Sequence, residues 1–174
     1  AAPHHMFLTE DAITGAYETC FKVNPPLRTS EDAQAIIEGV LDGSVDAIVT
    51  DHAPHADWEK AREFELAPFG MIGIEASLAL INTNLVKTGK MGYGKLVELM
   101  SINPRKILGI EPVSIEAGSL ADITVFDADI EWTVGEDGYV SHAKNCGFAG
   151  TKVSGRATDV FVGGKQTLKN GAIC

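Results

Sequence analysis

The sequence predicts an α/β fold that ends in a small β module, and three observations carry that prediction. Helical stripes and short apolar runs alternate over residues 1–109. The run Ala47-Ile48-Val49 breaks abruptly into Asp51, His52, Pro54 and His55, the pattern of a buried strand reaching the end of its sheet. After Gly109 the pattern changes to β-rich runs separated by glycines. Residues 1–109 and 110–174 are therefore expected as two units.

Taken in order, Ala1-Ala2-Pro3-His4-His5 reads as the tail of a strand. An apolar step leads to Thr9 as a helix N-cap, with Glu10 and Asp11 favourable in the first turn. Pro25 and Pro26 prevent both helix and a central ladder, so Phe21 to Arg28 is expected as a rigid extended loop holding Asn24. The Asn24 amide offers a donor and an acceptor together, which suits a ligand with the same mixture, although Asn also simply opens turns. Thr29 or Ser30, followed by Glu31 and Asp32, signals the next helix. Its stripe of Ile36, Ile37, Val40 and Leu41 stops near Gly43, and the strand at Ala47 follows. This rhythm belongs to a βα barrel or a doubly wound sheet.

Beyond His55, the charged segment Ala56 to Glu63 reads as a solvated face. Gly70 and Gly73 allow the loop Leu66 to Gly70 to present backbone groups to a ligand, or merely to enter the following helix. Ile72 to Val86 and Tyr93 to Met100 fit helices, and Asn103-Pro104 reads as an N-cap with proline in the first turn of a third, ending at Leu108. The later β runs are Ala121 to Phe126, Ile130 to Val134, Lys152 to Val153, Thr158 to Val162 and Lys165 to Leu168. Turns are expected at Glu136-Asp137-Gly138, Gly163-Gly164 and Asn170-Gly171. His142, Lys144 and Asn145 are polar but lack a partner at motif spacing.

A chain of 174 residues, 45% hydrophobic, can bury a core. Its net charge of -10 and the absence of Lys/Arg clusters argue against nucleic acid and anionic membranes as partners. The longest apolar run, Met71 to Val86, is interrupted by Glu75, Asn82, Thr83 and Asn84 and is too polar for a membrane span. Cys20, Cys146 and Cys174 are scattered and odd in number, which suits a reducing cytoplasm. The chain starts without Met and is expected to be a piece of something longer.

Chemistry is expected where Asp51, His52 and His55 leave the strand, because ligands of open α/β sheets and βα barrels sit at the strands' carboxyl ends. Asp and His bind zinc-like metals and move protons near neutral pH. The plainer reading is that Asp51 caps a helix and the histidines are packing residues. Four of the five histidines, His4, His5, His52 and His55, fall in the first third of the chain, in pairs near expected strand ends.

Four motifs together resemble the closing part of the bacterial type I dihydroorotases, of the amidohydrolase superfamily. They are Pro3-His4-His5 with Leu8-Thr9-Glu10-Asp11, Asn24-Pro25-Pro26-Leu27-Arg28, Thr50-Asp51-His52-Ala53-Pro54-His55, and Ala67-Pro68-Phe69-Gly70. Gly118 to Ile123 and Lys144 to Gly150 resemble the family's final strands, so the resemblance spans nearly the whole chain. It implies the last part of a (β/α)8 amidohydrolase barrel followed by a small C-terminal β module. It also implies that Asp51 ends the eighth strand, binds the metal and handles the proton of the attacking water. Asn24 and His55 would hold the ring and carboxylate of dihydroorotate, and the backbone of Phe69 and Gly70 would complete the pocket. The implied reaction is the reversible cyclisation of N-carbamoyl-aspartate to dihydroorotate in pyrimidine synthesis, with one or two zinc ions per full-length subunit.

Hydantoinases and dihydropyrimidinases usually carry Ser where Asn24 stands and lack the second His of the Asp51–His55 motif, and allantoinases differ after the Asp. His4 and His5 are not usual family ligands and stay outside the expected site. The family's N-terminal HxH strand, bridging carboxylate and later ligand histidines are missing, so the chain resembles a C-terminal fragment. By itself it is expected to be inactive and to self-associate without the N-terminal part of the barrel. A second copy and aspartate transcarbamoylase are the partners the resemblance brings with it. The competing expectation is a non-catalytic, dihydroorotase-like assembly subunit; intact Asn24, Asp51 and His55 argue against it.

Overall fold

In the computed structural model, which describes residues 1–174, local sequence sets local structure most directly at helix α2, Ser30–Asp42. Thr29 accepts a hydrogen bond from the Asp32 N–H, and the Asp32 carboxylate accepts one from the Thr29 N–H, so of the two caps the sequence offers, Thr29 or Ser30, it is Thr29 that acts. Ala33, Ile37 and Val40 form its buried face, and Gly43 at φ 92° ends it.

The first residues depart from expectation. Pro3–Phe7 is a helical turn, α1, because Pro3 in its first turn presets the helical φ, and the extended backbone stops at Ala2. The Ala1 amino group donates to Ala47 O at 2.8 Å and Ala1 O accepts from Val49 N at 2.9 Å, one rung of parallel pairing opposite Ile48. Of the expected strand only Ile48 is buried, with its N–H bonded to Leu99 O, while Val49 is exposed. Thr9 caps nothing through its side chain, and Glu10–Ala12 is a single 3₁₀ turn, since no apolar stripe follows to bury a longer helix. The charged segment after His55 contains a short helix, α3, Asp57–Lys60, and Lys60 is buried rather than solvated.

Helix α4, Ile74–Ile81, continues through a wider π turn, Asn82–Val86. Helix α5, Tyr93–Val97, passes through a second π turn, Glu98–Ile102, directly into α6, Asn103–Leu108. Asn103 is therefore helical and caps nothing; its amide donates instead to Asp46 O at 2.8 Å. The wide turn accommodates the hydrogen bond that Pro104 cannot donate.

Four antiparallel strands follow in the order β1 (Ile123–Thr133), β2 (Lys152–Val162), β3 (Lys165–Lys169) and β4 (Ala172–Ile173). Where the sequence shows two short runs each for β1 and β2, the chain forms one long strand. Register shifts after Val125 and Asp127 break the alternation and split the pattern. Gly163-Gly164 makes the expected hairpin.

One buried cluster unites Val23, Leu27, Met71, Ile72 and Leu80 with Val134, Phe148 and Val153, so it draws on both sides of Gly109. A second gathers Met6, Ile37, Val40, Ile48, Ile81, Leu85 and Leu99. Asn82, fully buried, joins the helices to the sheet: its Nδ2 donates to Ala128 O at 3.0 Å and Ser154 O at 2.8 Å, and its Oδ1 accepts from the Tyr93 hydroxyl. The close approach requires Gly155, whose φ is 105°; a Cβ there would lie 2.5 Å from Phe126 Cζ. The expected strand at Ala47 to Val49 is thus an extended segment with isolated bonds to Ala1 and Leu99 rather than a ladder.

Candidate active site

Asp51 leaves the Ala47–Thr50 segment in the left-handed region, at φ 48°, which costs a non-glycine residue about 1 kcal/mol and is best tolerated by Asp and Asn. Its side chain is 52% exposed, and its Oδ2 lies 3.6 Å from Nε2 of His4, which is 2% exposed and has no hydrogen-bond partner. The His4 and His5 rings pack at 4.2 Å between centroids, and His5 Nε2 donates to Pro25 O at 2.8 Å. The helical turn at Pro3 thus sets both histidines between Asp51 and the exposed Asn24-Pro25-Pro26 loop. His4 beside Asp51 is a neighbour that motif spacing alone does not show.

Burial, helped by His5 and opposed by Asp51, lowers the His4 pKa to about 4. Its folded value lies below its unfolded value near 6.5, so neutral His4 is compatible with the fold at pH 7 and protonation is not. In the metal-free chain, unfolding free energy should fall as pH drops through this window, by about 2 kcal/mol at pH 5. Urea titrations from pH 7 to 4.5 should show the loss, and it should disappear in His4→Gln.

His52 is engaged elsewhere: its Nδ1 accepts from Gly73 N at 3.1 Å, at the entrance to α4. His55 turns toward the loop at 64–70, with its Nε2 donating to Phe69 O at 2.8 Å and its Nδ1 3.9 Å from Glu59 Oε2. Gly70, at φ 119°, packs so closely that a Cβ would meet Ala53 Cβ at 2.4 Å. Its N–H donates to Lys22 O, and its carbonyl accepts from Lys60 Nζ at 3.0 Å and Asn145 Nδ2 at 3.1 Å. Three of the four backbone groups at Phe69 and Gly70 are thereby bonded within the chain, and the Phe69 N–H is the fourth, without a partner.

Two buried lysines hold this loop. Lys22 Nζ donates to Phe64 O at 2.7 Å, Glu65 O at 2.9 Å and Ala67 O at 2.7 Å, and it lies 4.5 Å from the Phe69 ring centroid. Lys60 Nζ donates to Pro68 O and Gly70 O, and burial keeps its pKa below the usual lysine range. Lys22, two residues before Asn24, carries a faint sequence signal as a cation between Phe21 and Val23. Asn145 stands in the Lys144 to Gly150 stretch that resembles the family, but its role is not visible there, since its partners lie 75 to 92 residues away. A separate cavity of about 320 Å³ between α4 and the sheet is lined by Leu78, Trp132, Tyr139 and Arg156, and by none of the candidate residues.

The sequence profile described as the amidohydrolase family matches residues 10–167. The chain belongs to the amidohydrolase family. Among curated amidohydrolases it is 48% identical over 168 residues to the dihydroorotase of Geobacter metallireducens, covering 97% of this chain and 39% of that protein. It is 42% identical over 172 residues to the dihydroorotase of Pelotomaculum thermopropionicum, covering 99% of this chain and 40% of that one. This amidohydrolase chain thus spans about two-fifths of the length of the curated relatives it matches. Among solved structures, the L-hydantoinase (dihydropyrimidinase) of Arthrobacter aurescens superposes with a TM-score of 0.89 at 29% identity, over 100% of this chain and 40% of that one. The α/β architecture with a small antiparallel sheet is that of an amidohydrolase, as the sequence predicts.

Amidohydrolases are in general metal-dependent. Asp51 and the unpartnered His4 Nε2 beside it are donors of the kind zinc takes, yet no three His, Cys, Asp or Glu side chains gather as a metal set in this chain. No helix is long and apolar enough to cross a membrane.

Proposed function

We propose that this chain supplies the Asp51 side of a dihydroorotase active site, in which a cyclic ureide amide is hydrolysed and re-formed. The observation that carries the reading is the 48% identity to a dihydroorotase across nearly the whole chain, with Asp51 exposed at the end of the extended Ala47–Thr50 segment between the Asn24 and His55 loops. Residues 1–109 belong to the barrel in this reading and residues 110–174 to the terminal β module.

Asp51 is the proton carrier. Its carboxylate takes the proton of the water that attacks the ring carbonyl, and returns it to the ring nitrogen as the C–N bond breaks. The reverse transfers close the ring. Asn24 pairs its amide with the ring's N–H and C=O groups. His55 and the free Phe69 N–H bind the carboxylate. Asp51, together with ligands from outside these residues, would hold zinc, which would supply Lewis acidity and a more acidic water.

The test joins this chain behind the N-terminal barrel segment of the Geobacter metallireducens relative and measures turnover of dihydroorotate, dihydrouracil and hydantoin with added zinc. Dihydroorotate should be hydrolysed at least about tenfold more efficiently than either analogue, because only it presents a carboxylate to His55 and Phe69. Preference for hydantoin or dihydrouracil would move the chain to the hydantoinase branch. A folded, zinc-loaded fusion that turns over none of the three would support the non-catalytic subunit.

A further inference from the structure

We propose that Asn145 is a positioning residue of this site, one that locks the His55 loop to the Gly70 loop from the C-terminal part of the chain. Asn145 is buried, and both N–H bonds and the oxygen of its carboxamide are engaged. Its Oδ1 accepts from His55 N at 3.2 Å, and its Nδ2 donates to Ala53 O at 3.0 Å and to Gly70 O at 3.1 Å. Its backbone carbonyl accepts from Ile72 N at 3.0 Å. Two of these bonds reach the loop that follows Asp51, and two reach the loop that carries Phe69 and Gly70. The tight turn closed by Cys146 N on Lys144 O at 2.8 Å has Asn145 at its centre.

The partner pattern specifies the residue. Flipping the amide would set its nitrogen against the His55 N–H and its oxygen against two carbonyls, so one orientation is allowed. Aspartate keeps the acceptor for His55 but turns a negative oxygen on Ala53 O and Gly70 O. Alanine keeps neither function, and glutamine is one methylene too long for a filled space. Only the asparagine amide meets an N–H and two carbonyls from a single buried side chain.

The consequence for the site follows from what the two loops carry. His55 and the Phe69 N–H are on opposite sides of the junction, and their separation is fixed by His55 Nε2 on Phe69 O and by the Asn145 bonds behind it. Loosening that junction spreads the groups that receive a carboxylate but leaves Asp51 in place. In the proposed dihydroorotase reading, on which this kinetic part rests, loss of Asn145 raises KM and spares kcat.

Hydrogen exchange on the full chain and kinetics of the fused enzyme test this, with Asn145→Asp and Asn145→Ala compared. Amides of Ala53 and Gly70 should exchange roughly tenfold faster in both variants, while Val40 in α2 and Val160 in β2 keep their protection. KM for dihydroorotate should rise roughly tenfold with kcat within about threefold of the parent, the split expected when ground-state binding alone is lost. Unchanged exchange at Ala53 and Gly70, or an equal loss at Val40 and Val160, would overturn the positioning role. A fall in kcat at constant KM would overturn it too. Exchange needs no substrate, so local loosening in a protein that ignores dihydroorotate would support this inference while sinking the dihydroorotase reading.

Discussion

Asp51→Asn should lower kcat for dihydroorotate in the fused, zinc-supplied enzyme by about 10³-fold, without disturbing the fold. Asparagine matches aspartate in size and also tolerates the left-handed backbone at φ 48°, so the segment keeps its course. The side chain is half exposed and bonded to no core group, so stability should hold. The charge, the proton acceptor and the anionic zinc ligand are what disappear, and a positioned acid–base group alone contributes about 10² to 10⁴ in rate, so zinc content is measured alongside. Steady-state kinetics beside a thermal melt would separate the two effects. Activity within tenfold of the parent at an unchanged melting temperature would remove Asp51 from the proton-transfer role.

Lys22→Met should destabilise the chain by about 3 kcal/mol, a drop of about 10 °C in melting temperature for a protein of this length. Methionine keeps the stem and deletes the ammonium, leaving the carbonyls of Phe64, Glu65 and Ala67 without their shared donor. The bond to Ala67 O is buried, so water cannot replace it there. Lys22→Arg should not rescue, because a planar guanidinium cannot aim at three carbonyls around one point. Denaturant unfolding would measure both variants; a loss below about 1 kcal/mol for Lys22→Met would show that the loop holds without the ammonium.

How much of this was legible in the sequence depends on distance along the chain. The Thr29 cap, the α2 stripe and the Gly163-Gly164 hairpin are decided within a few residues, and the pattern reveals them. Asp51, Asn24, His55, Phe69 and Gly70 were legible as motifs because each lies in a short, unusual string. Pro3-His4-His5 misleads as a strand, since the preference of proline for a helix's first turn wins over the extended reading of the flanking residues. The long strands β1 and β2 look like separate pieces in the sequence because register shifts interrupt their alternation. The charged neighbours of Lys60 suggest a solvated face, yet Pro68 O and Gly70 O fold back over it. Asn145 lies in the Lys144 to Gly150 stretch, yet its local neighbours do not show its role, which depends on partners that only the folded chain brings near.

The Lys22 and Lys60 ammonium groups gather the carbonyls of Phe64, Glu65, Ala67, Pro68 and Gly70. Loops with converging carbonyls are the usual lodging of a potassium or sodium ion, whose occupancy follows the composition of the medium. Here the cations are tethered to the polymer, so their local concentration is fixed by covalent bonds. The loop therefore gathers its carbonyls without needing a monovalent ion from the medium.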